Sequence, residues 1–370
     1  MTFGREVYRP KHVRRTKDRA VATPEFCVFD HLDARGEPLA KLYADRLSFA
    51  AAVEQAGLSG YYVAEHHSTP IGHASSPSVF LAALSQRTSR MRIGSMVHVL
   101  PAYQPLRLAE EICMLDHLSN GRLDIGVGRG ASPYEVGMFG VNPQQARAIF
   151  EESLNVLQNF MTHDTLSHRG EFFRYHDVPL TMRPLQPGGP PMWYGAFSER
   201  NLEFAAQCGL NITLNGPPAR LRQLAQRYRE IWADLHPALP GPRVASMYQM
   251  FVAETDEEAE RIAEPAYAQW YASMTHLWRA NNAMVRDTLP SSFAAAVKLG
   301  SFVAGSAATV RAKLQSILDA SGLDRLLLQC NLGSMPHEAA LESLGRFRDH
   351  VMPHLVAATP DDVMLRATAA

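Results

Sequence analysis

The run "YYVAEHHSTP" (61–70) carries an apolar, strand-like stretch straight into Glu65, His66 and His67 before Thr69-Pro70 turns the chain. Imidazole is the side chain best suited to hold or move a proton near neutral pH, so His66 and His67 are the catalytic candidates. Neighbouring residues on an extended strand face opposite sides, so at most one of the pair can point into a common site from that geometry. That weakens a shared metal centre, and no metal is expected. The H-x-H pattern of a binuclear hydrolase is missing too, since the corresponding place reads "CVFDHL" (27–32), with Asp30 and His31 as its polar residues.

A second group of residues suits an anion. In "GRLDIGVGRGASPYEVGMFG" (121–140), Gly126, Gly128 and Gly130 allow a backbone to approach a ligand closely, and Arg129 offers a fixed cation between two of them. Neither the G-K-[ST] ending of a Walker loop nor the G-x-G-x-x-G register of a dinucleotide fold is present. In "MWYGAFSERNLEFAAQCG" (192–209), Ser198 stands at a helix N-cap position, so the free N–H groups of residues 197–201 would face the same ligand. An arginine facing a helix N-terminus suits phosphate.

These residues need a frame that brings them together. Short apolar runs alternate with helical patterns, the signature of βα units around a parallel sheet. The runs are 26–29, 60–64, 91–99, 122–128, 191–195, 210–214, 244–252 and 326–330, with helices expected at 38–56, 77–87, 105–118, 142–161, 198–208, 217–234, 256–280 and 337–351. Eight such units with right-handed crossovers close as an α/β (β/α)8 TIM barrel. Strand ends then converge on one mouth: His31, His66 and His67, His98, Arg129, Phe197 with Ser198, and Asn215 all follow or end a strand. Two stretches are insertions. Residues 166–181, after the fourth helix, form a hairpin around Arg169-Gly170; residues 281–305, between the seventh and eighth strands, are a lid candidate.

The organisation expected is a basic N-terminal arm (1–24), a barrel domain (25–356) and a C-terminal tail (357–370). Arg5, Arg9, Lys11, Arg14, Arg15, Lys17 and Arg19 crowd the arm, yet the whole chain has a formal net charge of −1. No global field therefore favours nucleic acid or an anionic membrane. No apolar h-region follows the Arg14-Arg15 pair, and no apolar run is long enough to span a bilayer. Cys27, Cys113, Cys208 and Cys330 lie far apart without C-x-x-C spacing, as in a reduced, cytoplasmic protein.

Taken together, "GYYVAEHH", "RIGSMVHVLPAYQPLRLAEEICMLDHLSNGRLDIGVGRG", "PPMWYGAFSERNLEFAAQCG", "GSAATVRAKLQSI" and "RFRDHVMPHL" resemble the bacterial luciferase-like flavin monooxygenases over nearly all of 25–356. The resemblance implies reduced FMN supplied by a separate reductase, O2 as co-substrate, a C4a-peroxyflavin, a small organic substrate and a homodimer. It places His66 near flavin and substrate, and Arg129 on the FMN phosphate with the backbone of Phe197 and the side chains of Ser198 and Asn201. Met96-Val97 falls where the family often carries a non-prolyl cis peptide beneath the flavin ring, beside His98; Gly128 and Asn215 complete the cofactor set. The sequence departs from the luciferases at Gly128, where they carry a reactive cysteine, at Phe197, where they carry a glutamate, and at Gly216, where they carry a tryptophan. Light emission is therefore not expected. Two alternatives share the fold: a deazaflavin (F420)-dependent hydride-transfer enzyme, which oxygen consumption would separate, and a non-catalytic flavin-binding protein.

Overall fold

The computed structural model describes residues 24–285 and 289–356, so the basic arm up to residue 23 and the tail at 357–370 lie outside the described residues. The strands are β1 (Glu25–Asp30), β2 (Gly60–Val63), β3 (Arg92–Val99), β4 (Leu123–Gly128), β5 (Thr165–Arg169), β6 (Arg174–Pro179), β7 (Met192–Gly195), β8 (Asn211–Leu214), β9 (Val244–Ala253), β10 (Phe302–Ser306) and β11 (Arg325–Gln329). The helices are α1 (Leu39–Gln55), α2 (Pro77–Ser85), α3 (Pro105–Leu118), α4 (Pro133–Met138), α5 (Ala146–Thr162), α6 (Glu199–Gln207), α7 (Pro218–Leu235), α8 (Asp256–Met274), α9 (His276–Ala280), α10 (Phe293–Leu299), α11 (Ala307–Ser321) and α12 (His337–Arg346).

Eight parallel strands close a barrel in the order β1-β2-β3-β4-β7-β8-β9-β11, with β11 returning to β1. Along these strands the side chains alternate. Phe26, Val28, Tyr61, Val63, Leu326 and Leu328 pack outward under the helices, while Cys27, Phe29, Tyr62, Ala64, Met96, Trp193, Ala245 and Leu327 fill the lumen. Burial on both faces is why the strands read as continuous apolar runs. At the N-terminal end Arg325 closes the lumen: it pairs with Glu25 at 2.8 Å and Asp124 at 3.3 Å and lies 4.6 Å from the Trp193 ring centroid. The C-terminal end is the mouth.

The helices form because one stripe of each is apolar. In α5, Phe150, Leu154, Leu157 and Met161 recur every three or four residues and all are buried. Ser132, Thr255, Ser292 and Ser306 cap α4, α8, α10 and α11 by accepting a backbone N–H three residues on.

Several sequence expectations change. The eight barrel strands appear, but a ninth, β10, begins within the stretch assigned to the second insertion. It pairs in parallel with the second half of β9, which is long enough to serve β11 first and β10 afterwards. Helix α11, absent from the expected set, follows β10. The helix expected at 256–280 breaks at Thr275 into α8 and α9, and the one expected from 142 begins at Ala146, preceded by the separate short α4. The hairpin of the first insertion is β5-β6, with Arg169 opposite Arg174. Among the described residues no helix is long and apolar enough to cross a membrane, and none of the four cysteines forms a disulfide.

Candidate active site at the barrel mouth

The "EHH" run splits three ways. Glu65 is buried, its Oε2 accepting the Val99 N–H at 3.0 Å and the Tyr103 hydroxyl at 2.9 Å, and its Oε1 lying 2.8 Å from His67 Nε2. It ties the end of β2 to the end of β3. His67 is thereby turned toward Glu65, and its ring meets Phe139 edge-on at 4.6 Å. His66 faces elsewhere: its Nδ1 lies 3.3 Å from both carboxylate oxygens of Glu135, and its ring centroid is 5.5 Å from that of His31.

Glu135 was not singled out from sequence. It sits in α4, and its Oε2 also accepts the His67 N–H at 2.9 Å. A carboxylate facing Nδ1 fixes which imidazole nitrogen carries the proton and leaves Nε2 of His66 for chemistry. The available signal was the Ser132-x-x-Glu135 spacing, which reads as a capping box. Ser132 does cap α4, but the Glu135 side chain turns to the histidines instead of back to the cap.

Opposite these groups lies the anion side. Arg129 is exposed, and among the described residues no carboxylate lies within salt-bridge reach of it. The β4–β7 register pairs Val127 with Tyr194, which sets Arg129 level with the chain entering Phe197-Ser198. Electrostatics agree: burial raises the Tyr194 phenol, and the charges of Arg147 and Arg129 oppose it. Ser198 is the residue before α6, as expected, but its side chain makes no capping hydrogen bond, unlike the four caps above. Its hydroxyl and the N–H groups of Glu199 and Arg200 are therefore available. The half-buried Asn201 donates its N–H to the Ser198 carbonyl at 2.9 Å, and Phe197 and Asn215 are exposed at the rim.

Between the two sides, the Met96-Val97 peptide is cis. The β3–β4 register slips by one residue there, passing from Ser95↔Ile125 to His98↔Val127. The glycines of β4 make this close approach possible. A Cβ on Gly126 would lie 2.5 Å from the Ser95 carbonyl oxygen, and one on Gly128 would lie 2.6 Å from Val97 Cγ2. His98 does not offer its ring to the mouth. The imidazole is fully buried between Ser95 Oγ at 2.6 Å and Ser78 Oγ of α2 at 3.3 Å, and burial lowers its pKa against the pull of Glu65 and Glu111.

The loops above the mouth are aromatic. Tyr134 of α4 meets Trp278 of α9 edge-on at 6.1 Å, and Thr69 after β2 donates to the Ser273 carbonyl of α8 at 3.2 Å. The end of α8 and α9 therefore reach over the mouth, immediately before the expected lid at 281–305, of which residues 286–288 lie outside the described residues. Among the described residues no group of three or more His, Cys, Asp or Glu side chains could hold a metal ion. The free guanidinium, the unused Ser198 hydroxyl and the glycine-lined strand ends fit a phosphate-bearing cofactor.

Fold and site together define a (β/α)8 barrel with an anion-binding mouth, and comparison with known proteins makes this specific. The family model of the luciferase-like monooxygenases matches residues 25–325. The chain belongs to that family and is a flavin-dependent monooxygenase. It is 36% identical to the uncharacterised protein y4wF of Sinorhizobium fredii over 328 residues, 88% of this chain and 96% of that protein. To the oxygenase component of the flavin-dependent trigonelline monooxygenase of Acinetobacter baylyi it is 27% identical over 245 residues, 64% of this chain and 67% of that protein. The fold is similar to that of the monooxygenase RslO1 from Streptomyces bottropensis, with a TM-score of 0.79 at 24% identity, covering 89% of this chain and 99% of that one.

Proposed function

We propose that this protein is the oxygenating component of a two-component system: it takes FMN already reduced by a separate reductase and uses O2 to oxygenate a small organic substrate. The observation that carries the reading is the two-sided mouth, with Arg129, exposed and without a carboxylate partner among the described residues, beside the uncapped start of α6 on one side and the His66–Glu135 pair on the other. Likeness to a protein named as an oxygenase component supports the separate reductase. Reduced FMN supplies the electrons that activate dioxygen.

The chain's own residues do the rest. Arg129, the Ser198 hydroxyl, the N–H groups of residues 197–199 and the Asn201 side chain hold the phosphate. The backbone at Met96-Val97 and the bare Gly128 shape the floor, and Asn215 sits at the rim. Glu135 orients His66 so that Nε2 holds or delivers a proton at the substrate. His67 is held by Glu65 and stands behind His66, so the catalytic work rests with His66. The Tyr134–Trp278 contact between α4 and α9, with the second insertion that follows it, excludes water. A cytoplasmic homodimer accompanies this reading.

The test is an anaerobic titration of the purified protein with reduced FMN, oxidised FMN and reduced F420, followed by oxygen uptake in the presence of a flavin reductase and NADH. Preferential binding of reduced FMN is expected, with oxygen uptake that responds to added candidate substrates. Tight binding of F420 alone, with no oxygen uptake, would overturn the reading in favour of hydride transfer.

A further inference from the structure

His31 follows β1 and is 3% exposed. Its Nδ1 meets two partners: Gln329 Nε2 at 2.9 Å and Trp270 Nε1 at 3.4 Å. An indole nitrogen can only donate, so Nδ1 must accept, and in a neutral imidazole the proton then resides on Nε2. The Gln329 amide agrees with this assignment, because its Oε1 accepts from Gln249 Nε2 at 3.3 Å, leaving its own NH2 for His31. Gln249 on β9, Gln329 on β11 and Trp270 on α8 thus fix one tautomer of a ring on β1.

Direction follows from the strand order. β1 lies between β11 and β2. With Nδ1 turned to Gln329 on the β11 flank, Nε2–H is presented on the flank where β2 delivers His66. The two rings are 5.5 Å apart and tilted by 34°. Protonation of His31 would aim a new N–H at two groups that already donate to it, so this ring resists a charge. Burial acts the same way, and a charge on His66 reinforces it. His66, by contrast, faces the Glu135 carboxylate of α4. The polar wall also retains unused capacity: two residues beyond Gln329, Asn331 is buried with neither amide atom partnered.

We propose that His31 is a positioning residue of the active site, a permanently neutral imidazole locked in the Nε2–H form, whose fixed dipole orients His66 and keeps the proton chemistry on the His66–Glu135 pair. The proposal rests on His66 being the proton carrier of the reading above. The titratable groups facing the pair are Glu135 from α4 and each ring for the other; Gln249, Gln329 and Trp270 are neutral.

The experiment needs no cofactor, which separates it from the test of the flavin reading. Long-range nitrogen–proton spectra of the flavin-free, imidazole-labelled protein report each ring's tautomer and charge from about pH 5 to about pH 9. His31, assigned by the peak lost in His31→Asn, is expected to show a protonated Nε2 and a bare Nδ1 throughout. His31→Phe removes the dipole whose positive end faces His66, so the His66 titration should move to higher pH by about half a unit or more. His31→Asn, which keeps a donor, should restore part of that shift. Gln329→Leu should let His31 titrate within the window. A wild-type His31 that titrates, or that carries its proton on Nδ1, overturns the proposal without any variant. So does a His66 curve unmoved in a folded His31→Phe protein.

Discussion

Glu65 separates a structural reading of "EHH" from a catalytic one. Its carboxylate accepts the Val99 N–H, the Tyr103 hydroxyl and a hydrogen bond from His67 Nε2, all at 2.8–3.0 Å, and Glu65 itself is 4% exposed. Glu65→Ala leaves the Val99 N–H and the Tyr103 hydroxyl buried without a partner, at about 1–3 kcal/mol each. The emptied side-chain volume adds about 1 kcal/mol, so the variant should lose about 3–7 kcal/mol. Glu65→Gln behaves differently. Its carbonyl oxygen can still accept from Val99 and Tyr103, and its NH2 can face His67 once that ring changes tautomer, so the loss falls to about 1–2 kcal/mol. Equilibrium urea unfolding followed by tryptophan fluorescence gives both numbers, read at constant m. If Glu65→Ala stays within about 1 kcal/mol of the parent, the carboxylate is not the tie between β2 and β3.

Four further outcomes follow from the same structure. Arg129→Ala removes an exposed cation, so reduced FMN should bind about 10–100-fold more weakly with unfolding unchanged, as anaerobic titration and urea melts would show. Turnover in His66→Ala should fall by about 100-fold or more while flavin affinity moves by less than about threefold; equal losses in both would remove its catalytic role. Gly126→Ala would put a methyl 2.5 Å from the Ser95 carbonyl oxygen and 3.0 Å from Met96 Cα, both backbone atoms, so it should cost about 3 kcal/mol in the same melts. Glu54 gives a pH signature. Partial burial raises its carboxyl, but the N–H groups of Arg90, Met91 and Ser89 bring it down to about 2. Its folded value thus lies below its unfolded one, so its contribution is complete above the unfolded value of about 4.3 and is lost as pH falls toward 2. The carboxylate is only partly buried, so solvent screens the effect to about 1 kcal/mol, and Glu54→Gln should flatten that limb.

What could be seen in the sequence was what period and punctuation encode. The barrel strands, the β5-β6 hairpin and the placement of His66, Arg129 and Ser198 at strand ends all follow from local patterns. What could not be seen depends on contacts distant in the chain. Glu135 reaches His66 across 69 residues, Trp270 reaches His31 across 239 and Gln329 across 298. No window of sequence carries those pairings, and Gln or Trp at a strand or helix position reads as ordinary packing. The strand β10 was hidden for a related reason. Its "FVAGS" is short, and only the second half of a neighbouring strand that outlasts the barrel gives it a partner. His98 misled because strand-end position alone does not set side-chain direction: the register slip at Met96-Val97 accompanies a ring turned to Ser78 on α2, outside the barrel.

The arrangement of the mouth follows from where charge can be tolerated. On the β4–β7–β8 side Arg129 is exposed and meets an uncapped helix end, so an anion arriving there loses little hydration and displaces no protein partner. On the β11–β1–β2 side His31 is buried and pinned by the neutral donors Gln329 and Trp270, while His66 and His67 face the carboxylates of Glu135 and Glu65. A cofactor anchored by its phosphate on the first side would reach across the glycine-lined β3–β4 floor to the second. Binding strength and proton chemistry would then reside on opposite walls. Substitutions at Arg129 and at His66 should therefore combine additively in flavin affinity, while His31 and His66 should not combine additively in turnover.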